Sequence, residues 1–165
     1  MSSLIPEGLS AAVVTVSDSC ARGDRVDLSG PAVTNALRKR NFSIVGTEIV
    51  ADEQAAIEKA ILYWAGEARV VVTTGGTGIA ARDVTPEATR HVSERLLEGV
   101  AERMRCEGSS KTPFAALSRA VCGVRGQSII LNLPGNPKGA VESLESVIDL
   151  LPHALELLGG NTEHA

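Results

Sequence analysis

Residues 70–89 read VVVTTGGTGIAARDVTPEAT. Val70, Val71 and Val72 form an apolar β-branched run that leads into Thr73 and Thr74. Gly75, Gly76, Thr77 and Gly78 follow with almost no side-chain bulk. A buried strand ending in bare backbone leaves room for another molecule to touch that backbone. Arg82 and Asp83 come next, and Thr85, Pro86 and Glu87 open a helix with proline in its first turn. A carboxylate just beyond such a loop suits a visitor that brings a cation or a transferable proton.

Upstream, residues 11–16 make a short apolar run that stops at Ser17, Asp18 and Ser19, which predicts a buried strand. A polar loop runs to Leu28, and Ser29 caps a helix whose stripe is Val33, Ala36 and Leu37. Arg38, Lys39 and Arg40 form its solvated basic end, with Asn41 as the stop. Residues 43–50 predict a second strand, broken at Gly46. Asp52 caps a helix over 53–64 that ends at Gly66, and residues 69–74 are the third strand. This β-α-β-α-β order with short connections predicts a three-layer α/β/α domain around a mostly parallel, doubly wound sheet.

Downstream, residues 86–104 are helical in pattern with Gly99 inside, as one helix or two. Residues 108–113 are a loop. Residues 117–124 and 127–133, split by Arg125 and Gly126, read as a hairpin or two late strands. Asn136 and Pro137 open a last helix over 138–151, continued over 152–158. No linker or repeat interrupts the 165 residues, so the reading is one domain, 1–165, with its core at about 11–159.

In open parallel sheets, ligands bind at the carboxyl ends of the strands. Each predicted parallel strand feeds a loop dense in glycine, hydroxyls or acids: 17–31, 51–54, 74–86 and 133–138. The connections at the opposite edge, near Arg40 and Gly66, are plain. Three of the rich loops enter helix N-termini, at Ser29, Thr85 and Asn136, which favours phosphate. Asp18, Asp24, Asp27, Asp52 and Asp83 share these loops, and carboxylates beside phosphates point to Mg²⁺. Asp52 has two readings, helix cap or metal ligand; Asp83 has likewise a loop-stabilising reading. A P-loop is excluded because no lysine follows the glycines. Gly76, Gly78 and Ala81 match a dinucleotide fingerprint formally, but the helix starts too late and no strand-end acid follows about 20 residues on.

The composition excludes other classes. A net charge of -4 and 2% aromatic residues argue against nucleic-acid binding. Cys20, Cys106 and Cys122 lack disulfide-framework or zinc spacing. The first ten residues, MSSLIPEGLS, lack a basic-then-apolar leader, and no apolar run reaches about 20 residues. The expectation is a cytoplasmic protein without a membrane span. His91 falls in a predicted helix and His153 and His164 lie near the C-terminus, so no Ser-His-Asp or Cys-His set is evident.

The segments SDS and GDRVDLSGP within 17–31, ADEQ (51–54), TTGGTG and RDVTPEAT within 73–89, LSR (117–119) and NLPGNPKGA (132–140) together resemble the MogA/MoaB family of molybdenum-cofactor biosynthesis, which includes the gephyrin G domain. The likeness runs over about 11–159. It implies a molybdopterin adenylyltransferase that transfers AMP from Mg-ATP to molybdopterin and releases pyrophosphate. The alternative within the family is a MoaB-like molybdopterin-binding protein without turnover. The resemblance assigns Asp52 and Asp83 as catalytic and Mg²⁺-binding. It assigns Ser17, Asp18, Asp27, Ser29, Gly30, Gly75, Gly76, Thr77, Gly78, Pro134, Gly135 and Asn136 to the nucleotide and molybdopterin. It also implies a homotrimer and hand-over to a MoeA-like molybdenum insertase.

Overall fold

In the computed structural model, residues 8–160 are described; His164 and most of the segment before Leu9 lie outside them. Three strands and two helices of the amino-terminal half follow the expected order: β1 Ser10–Val16, α2 Ser29–Lys39, β2 Ser43–Val50, α3 Gln54–Ala65 and β3 Val70–Thr74, with a short α1 Asp18–Ala21 after β1. That one-turn helix replaces the start of the expected polar loop. The 86–104 region is two helices, α4 Thr85–Val92 and α5 Glu98–Ser109, separated by a two-residue strand β4 Arg95–Leu96. The late strands are β5 Cys122–Arg125 and β6 Ser128–Leu133; the first is shorter than the expected 117–124, and residues 113–117 before it form a 3-10 turn. The chain closes with α6 Pro137–Val147, a 3-10 turn and α7 Leu151–Leu158.

The six strands make one sheet in the order β2-β1-β3-β6-β5-β4. β2, β1, β3 and β6 are mutually parallel, while β5 and β4 add antiparallel neighbours at one side. The chain therefore turns outward in both directions from β1, which places a switch point between β1 and β3. Alternation along a strand divides the core between the sheet's two faces. Val70 and Val72 pack with Val33, Leu37, Met104, Leu144 and Leu151, whereas Val71 packs with Ile57, Ile61, Ala88 and Val92 on the other side. β3 and β6 are buried along their whole length and are mostly apolar, with Thr73, Thr74, Ser128 and Asn132 as their buried polar residues. β2 lies at the edge and alternates exposed and half-buried residues. Its register slips between Ala11 and Ala12 of β1, and the Trp64 ring lies where a Cβ on Gly46 would stand.

Three local expectations are corrected. Ser29 is not the cap of α2: the helix begins at Ser29, and the Asp27 carboxylate accepts the Gly30 N–H at 3.0 Å in the capping role. Asp52 does not cap α3, which starts at Gln54 without a side-chain cap. Arg40 is not solvated; it is 8% exposed and pairs with Glu145 at 2.8 Å and with Asp149, tying the end of α2 to α6 and the turn beyond it. Asn41 does end α2, with a left-handed φ of 71°.

One buried polar knot fixes the strands beneath the site. The Asn132 side chain of β6, fully buried, donates to the hydroxyls of Thr73 and Thr89 at 2.9 Å each and accepts the Val121 N–H at 3.1 Å. It links β6, β3, α4 and the approach to β5. Asn132→Ala strands these groups in a dry layer and is expected to cost about 3 kcal/mol in urea unfolding. Asn132→Leu, which restores volume but no polar atoms, should recover little; full recovery would show that the cost is cavity alone.

Candidate active site

The loops after β1, β2, β3 and β6 meet at one end of the sheet. Their residues line two adjoining cavities, of about 440 Å³ and about 860 Å³. Ser17, Asp27, Ser29, Asp52 and Gly75 face the smaller one. Thr77, Gly78 and Pro134 face the larger. Gly76, Asp83, Gly135 and Asn136 line both and form the partition. Asp18 and Gly30 line neither.

Gly30 belongs to the structure behind the wall. A Cβ there would lie 2.3 Å from Asp27 and 2.5 Å from the Thr15 hydroxyl, which itself donates to Asp27 at 2.8 Å. The absence of a side chain lets α2 close onto the Asp27 carboxylate. Asp18 is occupied in a similar way. Its N–H donates to the Asp52 carboxylate and its own carboxylate accepts the Asp52 N–H, both at 2.9 Å. Arg82 adds a two-pronged ion pair to Asp18, at 2.5 and 3.0 Å. The Arg82 hydrogen bond and the Asp52 N–H hold the Asp18 carboxyl down at about 2. Asp18 is thus the rear support of Asp52, not a wall of the cavity. Asp52 shifts the other way: burial raises its pKa, and the neighbouring Asp18 and Asp83 charges add to that.

The glycine loop is shaped by contacts that exclude side chains. Gly75 has φ 106° and a Cβ there would meet the Val16 carbonyl oxygen at 2.3 Å. Gly76 has φ 69° and a Cβ would meet the Thr85 hydroxyl at 2.3 Å and the Asp52 carboxylate at 3.2 Å. Thr85 closes the loop: its N–H donates to the Gly76 carbonyl at 3.1 Å and its hydroxyl to the Gly75 carbonyl at 3.0 Å. Asp83 accepts the Ala80 N–H at 3.0 Å, so the loop-stabilising reading holds while the carboxylate still faces both cavities. Asn136 caps α6 by accepting the Gly139 N–H at 3.0 Å. α4 begins only at Thr85, well past the glycines, unlike a dinucleotide-binding turn.

Several wall residues were not singled out from the sequence. Lys111 and Lys138 line the larger cavity, both near Glu142 at 3.6 and 4.0 Å. Ile79, Phe114 and Leu117, all well exposed, form its apolar rim. They come from the 108–117 segment and the loop tip, where no periodicity marks them. Cys20 lines the smaller cavity, whereas burial pushes the Cys122 thiol up to about 12 and leaves it unreactive. His91 lies apart on α4, 2.5 Å from Glu58. Among the described residues, no group of three or more His, Cys, Asp or Glu side chains forms a metal cage. Asp52 and Asp83 fit Mg²⁺ in its other mode, with one or two carboxylates and the rest of its shell from water and phosphate. The raised pKa of Asp52 beside Asp83 marks a place where a divalent cation would relieve crowded negative charge.

The switch-point cleft, the acid-lined chamber and the glycine wall define a doubly wound α/β protein built for phosphorylated ligands. Residues 12–153 match the family model described as a probable molybdopterin binding domain, and the chain belongs to that family. It is 42% identical over 153 residues to the molybdopterin adenylyltransferase of Helicobacter pylori, covering 90% of this chain and 87% of the relative. It is 40% identical over 157 residues to the molybdenum cofactor synthesis protein cinnamon of Drosophila melanogaster, covering 93% of this chain but only 26% of that protein. The solved structure of the molybdopterin biosynthesis enzyme MoaB from Thermus thermophilus superposes with a TM-score of 0.87 at 48% identity, over 93% of this chain and 98% of that one. The family and the fold read from the motifs are those found.

Proposed function

We propose that this chain is a molybdopterin adenylyltransferase that works in molybdenum-cofactor biosynthesis. The observation that carries the reading is the divided cleft, whose two chambers differ in chemistry. The larger combines Lys111 and Lys138 with the apolar rim of Ile79, Phe114 and Leu117, which suits a flat heterocycle bearing a phosphate. The smaller holds Asp27, Asp52 and Asp83 against the glycine loop, which suits a metal-bound polyphosphate. Curated relatives of that name, similar over nine tenths of this chain, support the same activity.

In the reaction, a terminal phosphate oxygen of molybdopterin bonds to the α-phosphorus of ATP. The bond to the β-phosphate oxygen breaks, and pyrophosphate leaves with its electron pair. The nucleophile belongs to the substrate, so the protein's task is positioning and charge balance. Gly76 and Gly135 allow both substrates to approach the partition closely. Lys111 and Lys138 draw the pterin phosphate into the larger chamber. Asp52 and Asp83 would hold Mg²⁺, which when bound neutralises charge on the phosphates. Ser17, Asp27, Ser29 and Asn136 complete the polyphosphate wall.

We also read the protein as a cytoplasmic homotrimer, one domain per chain, that passes its product to a MoeA-like insertase. The exposed apolar side chains of Val26, Leu28, Val45 and Ile49 support self-association, and among the described residues no helix is long and apolar enough to cross a membrane. Light scattering at one chain mass would remove the trimer.

Purified protein given molybdopterin and Mg-ATP should release pyrophosphate. Asp83→Asn should lower that rate by about 10³-fold while circular dichroism stays native. Wild-type turnover in the variant would dismiss Asp83. Molybdopterin binding with no pyrophosphate from the wild type would instead point to a binding protein without turnover.

A further inference from the structure

The loop that carries Asp83 has little packing to hold it. Ile79, Ala80, Ala81 and Arg82 are all exposed. Arg82 is paired with Asp18, and the loop backbone itself is tied from outside by Arg119. The Arg119 N–H donates to the Thr77 carbonyl at 2.9 Å. Its Nε donates to the Gly78 carbonyl at 2.8 Å, and one terminal nitrogen donates to the Asp83 carbonyl at 2.7 Å. The guanidinium also meets both Glu87 carboxylate oxygens, at 2.7 and 3.2 Å. One side chain therefore joins the two ends of the exposed stretch and pins them to the first turn of α4. Its own base is firm, because Ala120 and Val121 next to it are 5% and 2% exposed. The Arg119 hydrogen bond, aided by its charge, holds the Glu87 carboxyl below its ordinary range, so the pair stays ionised.

We propose that Arg119 is a positioning residue for the transfer reaction, setting the Asp83 carboxylate and the Gly76–Gly78 wall through the loop backbone. This rests on the adenylyltransferase reading. Arg119 lines neither cavity, so it acts through Asp83 and the wall and not on substrate. The work requires a planar fork. Lysine carries the same charge but cannot reach two carbonyls and a carboxylate at once. A loop free to drift by about 1 Å loses on the order of 10²-fold in rate while substrate affinity changes little.

Arg119→Lys and Glu87→Gln test this by two routes. Hydrogen–deuterium exchange on the metal-free protein should show the amides of residues 76–83 exchanging at least about tenfold faster in Arg119→Lys, with β1 and β3 unchanged. Unchanged protection there overturns the clamp whatever the enzyme does. In pyrophosphate release, kcat should fall by about 10²-fold with KM for ATP within about threefold, and Glu87→Gln should show a smaller loss in the same direction. A loosened loop with wild-type kcat overturns the positioning role, as does a loss confined to KM. Adding Asp83→Asn to Arg119→Lys should cost less than the two single losses combined. Full additivity would show that Arg119 does not act through Asp83. If the wild type has no turnover, the functional reading fails by itself and the exchange comparison alone decides the clamp.

Discussion

Asp52→Asn should cut turnover steeply and yet leave the protein no less stable at neutral pH. The Asp52 carboxylate is half-buried against the Asp18 N–H, with Asp18 and Asp83 as negative neighbours. Those surroundings raise its pKa, so the folded protein holds that proton more tightly than the unfolded chain does. By linkage, the stability from this carboxyl is fully present below its unfolded value near 3.8 and is lost as pH rises through the folded value. At pH 7 the ionised group is therefore a strain on the fold, and asparagine removes the charge while its amide oxygen can still accept the Asp18 N–H. Melting temperatures of metal-free protein should put the variant level with the wild type near pH 4 and at or above it by pH 7. Asp18 runs in the opposite direction: its contribution is present above 3.8 and disappears only as pH falls through about 2. The rate should drop by about 10³-fold, because the crowded acids that burden the empty fold are those that favour a divalent cation with phosphate. A variant that melts well below the wild type at pH 7 would make Asp52 a structural acid. One that melts normally and turns over normally would remove it from the metal site.

The strands and the site loops were legible for one physical reason. The central strands are buried on both faces, so their sequences are largely apolar runs that end abruptly at the cleft. The residues after each end carry glycine or acid, and the parallel order of β2, β1, β3 and β6 gathers those ends together. What escaped reading were long-range polar partners. Asp18 looks like a wall residue in sequence because it stands beside Ser17. Only the approach of residue 52, 34 positions away, turns it into a brace. Arg40 ends a basic run that suits a solvated helix terminus, yet its partners lie 105 and 109 positions on. Arg119 belongs to a short quoted motif, but its role depends on a loop some 40 residues earlier. Periodicity and capping describe neighbours along the chain, and none of these contacts is between neighbours. Part of the larger chamber's wall escaped for a related reason: Lys111, Phe114 and Leu117 come from the irregular 108–117 segment, while Thr77, Gly78 and Pro134 of the same chamber were readable from the strand-end loops.

Gly75→Ala should be the most damaging single methyl in the molecule. Two separate costs meet there. The φ of 106° lies where a side chain is strained, at about 1–3 kcal/mol. The added Cβ would also stand 2.3 Å from the Val16 carbonyl oxygen, which is backbone of a central strand. Neither partner can yield cheaply. The Gly75 N–H donates to Leu133 of β6 at 3.0 Å, and its carbonyl accepts the Thr85 hydroxyl, so the residue is tied on both sides. Together these should cost about 4 kcal/mol or more in denaturant unfolding. Gly23→Ala separates the two costs: its φ is 81°, but an added Cβ meets nothing within 4 Å. That variant should lose only about 1–2 kcal/mol and keep its turnover. Equal losses at the two positions would mean that backbone conformation alone sets the cost. If Gly75→Ala is stable, β1 and β3 have moved apart at their carboxyl ends, and the wall shared by the two chambers moves with them. Pyrophosphate release would then fall even though the fold survives, since the substrates meet across that wall.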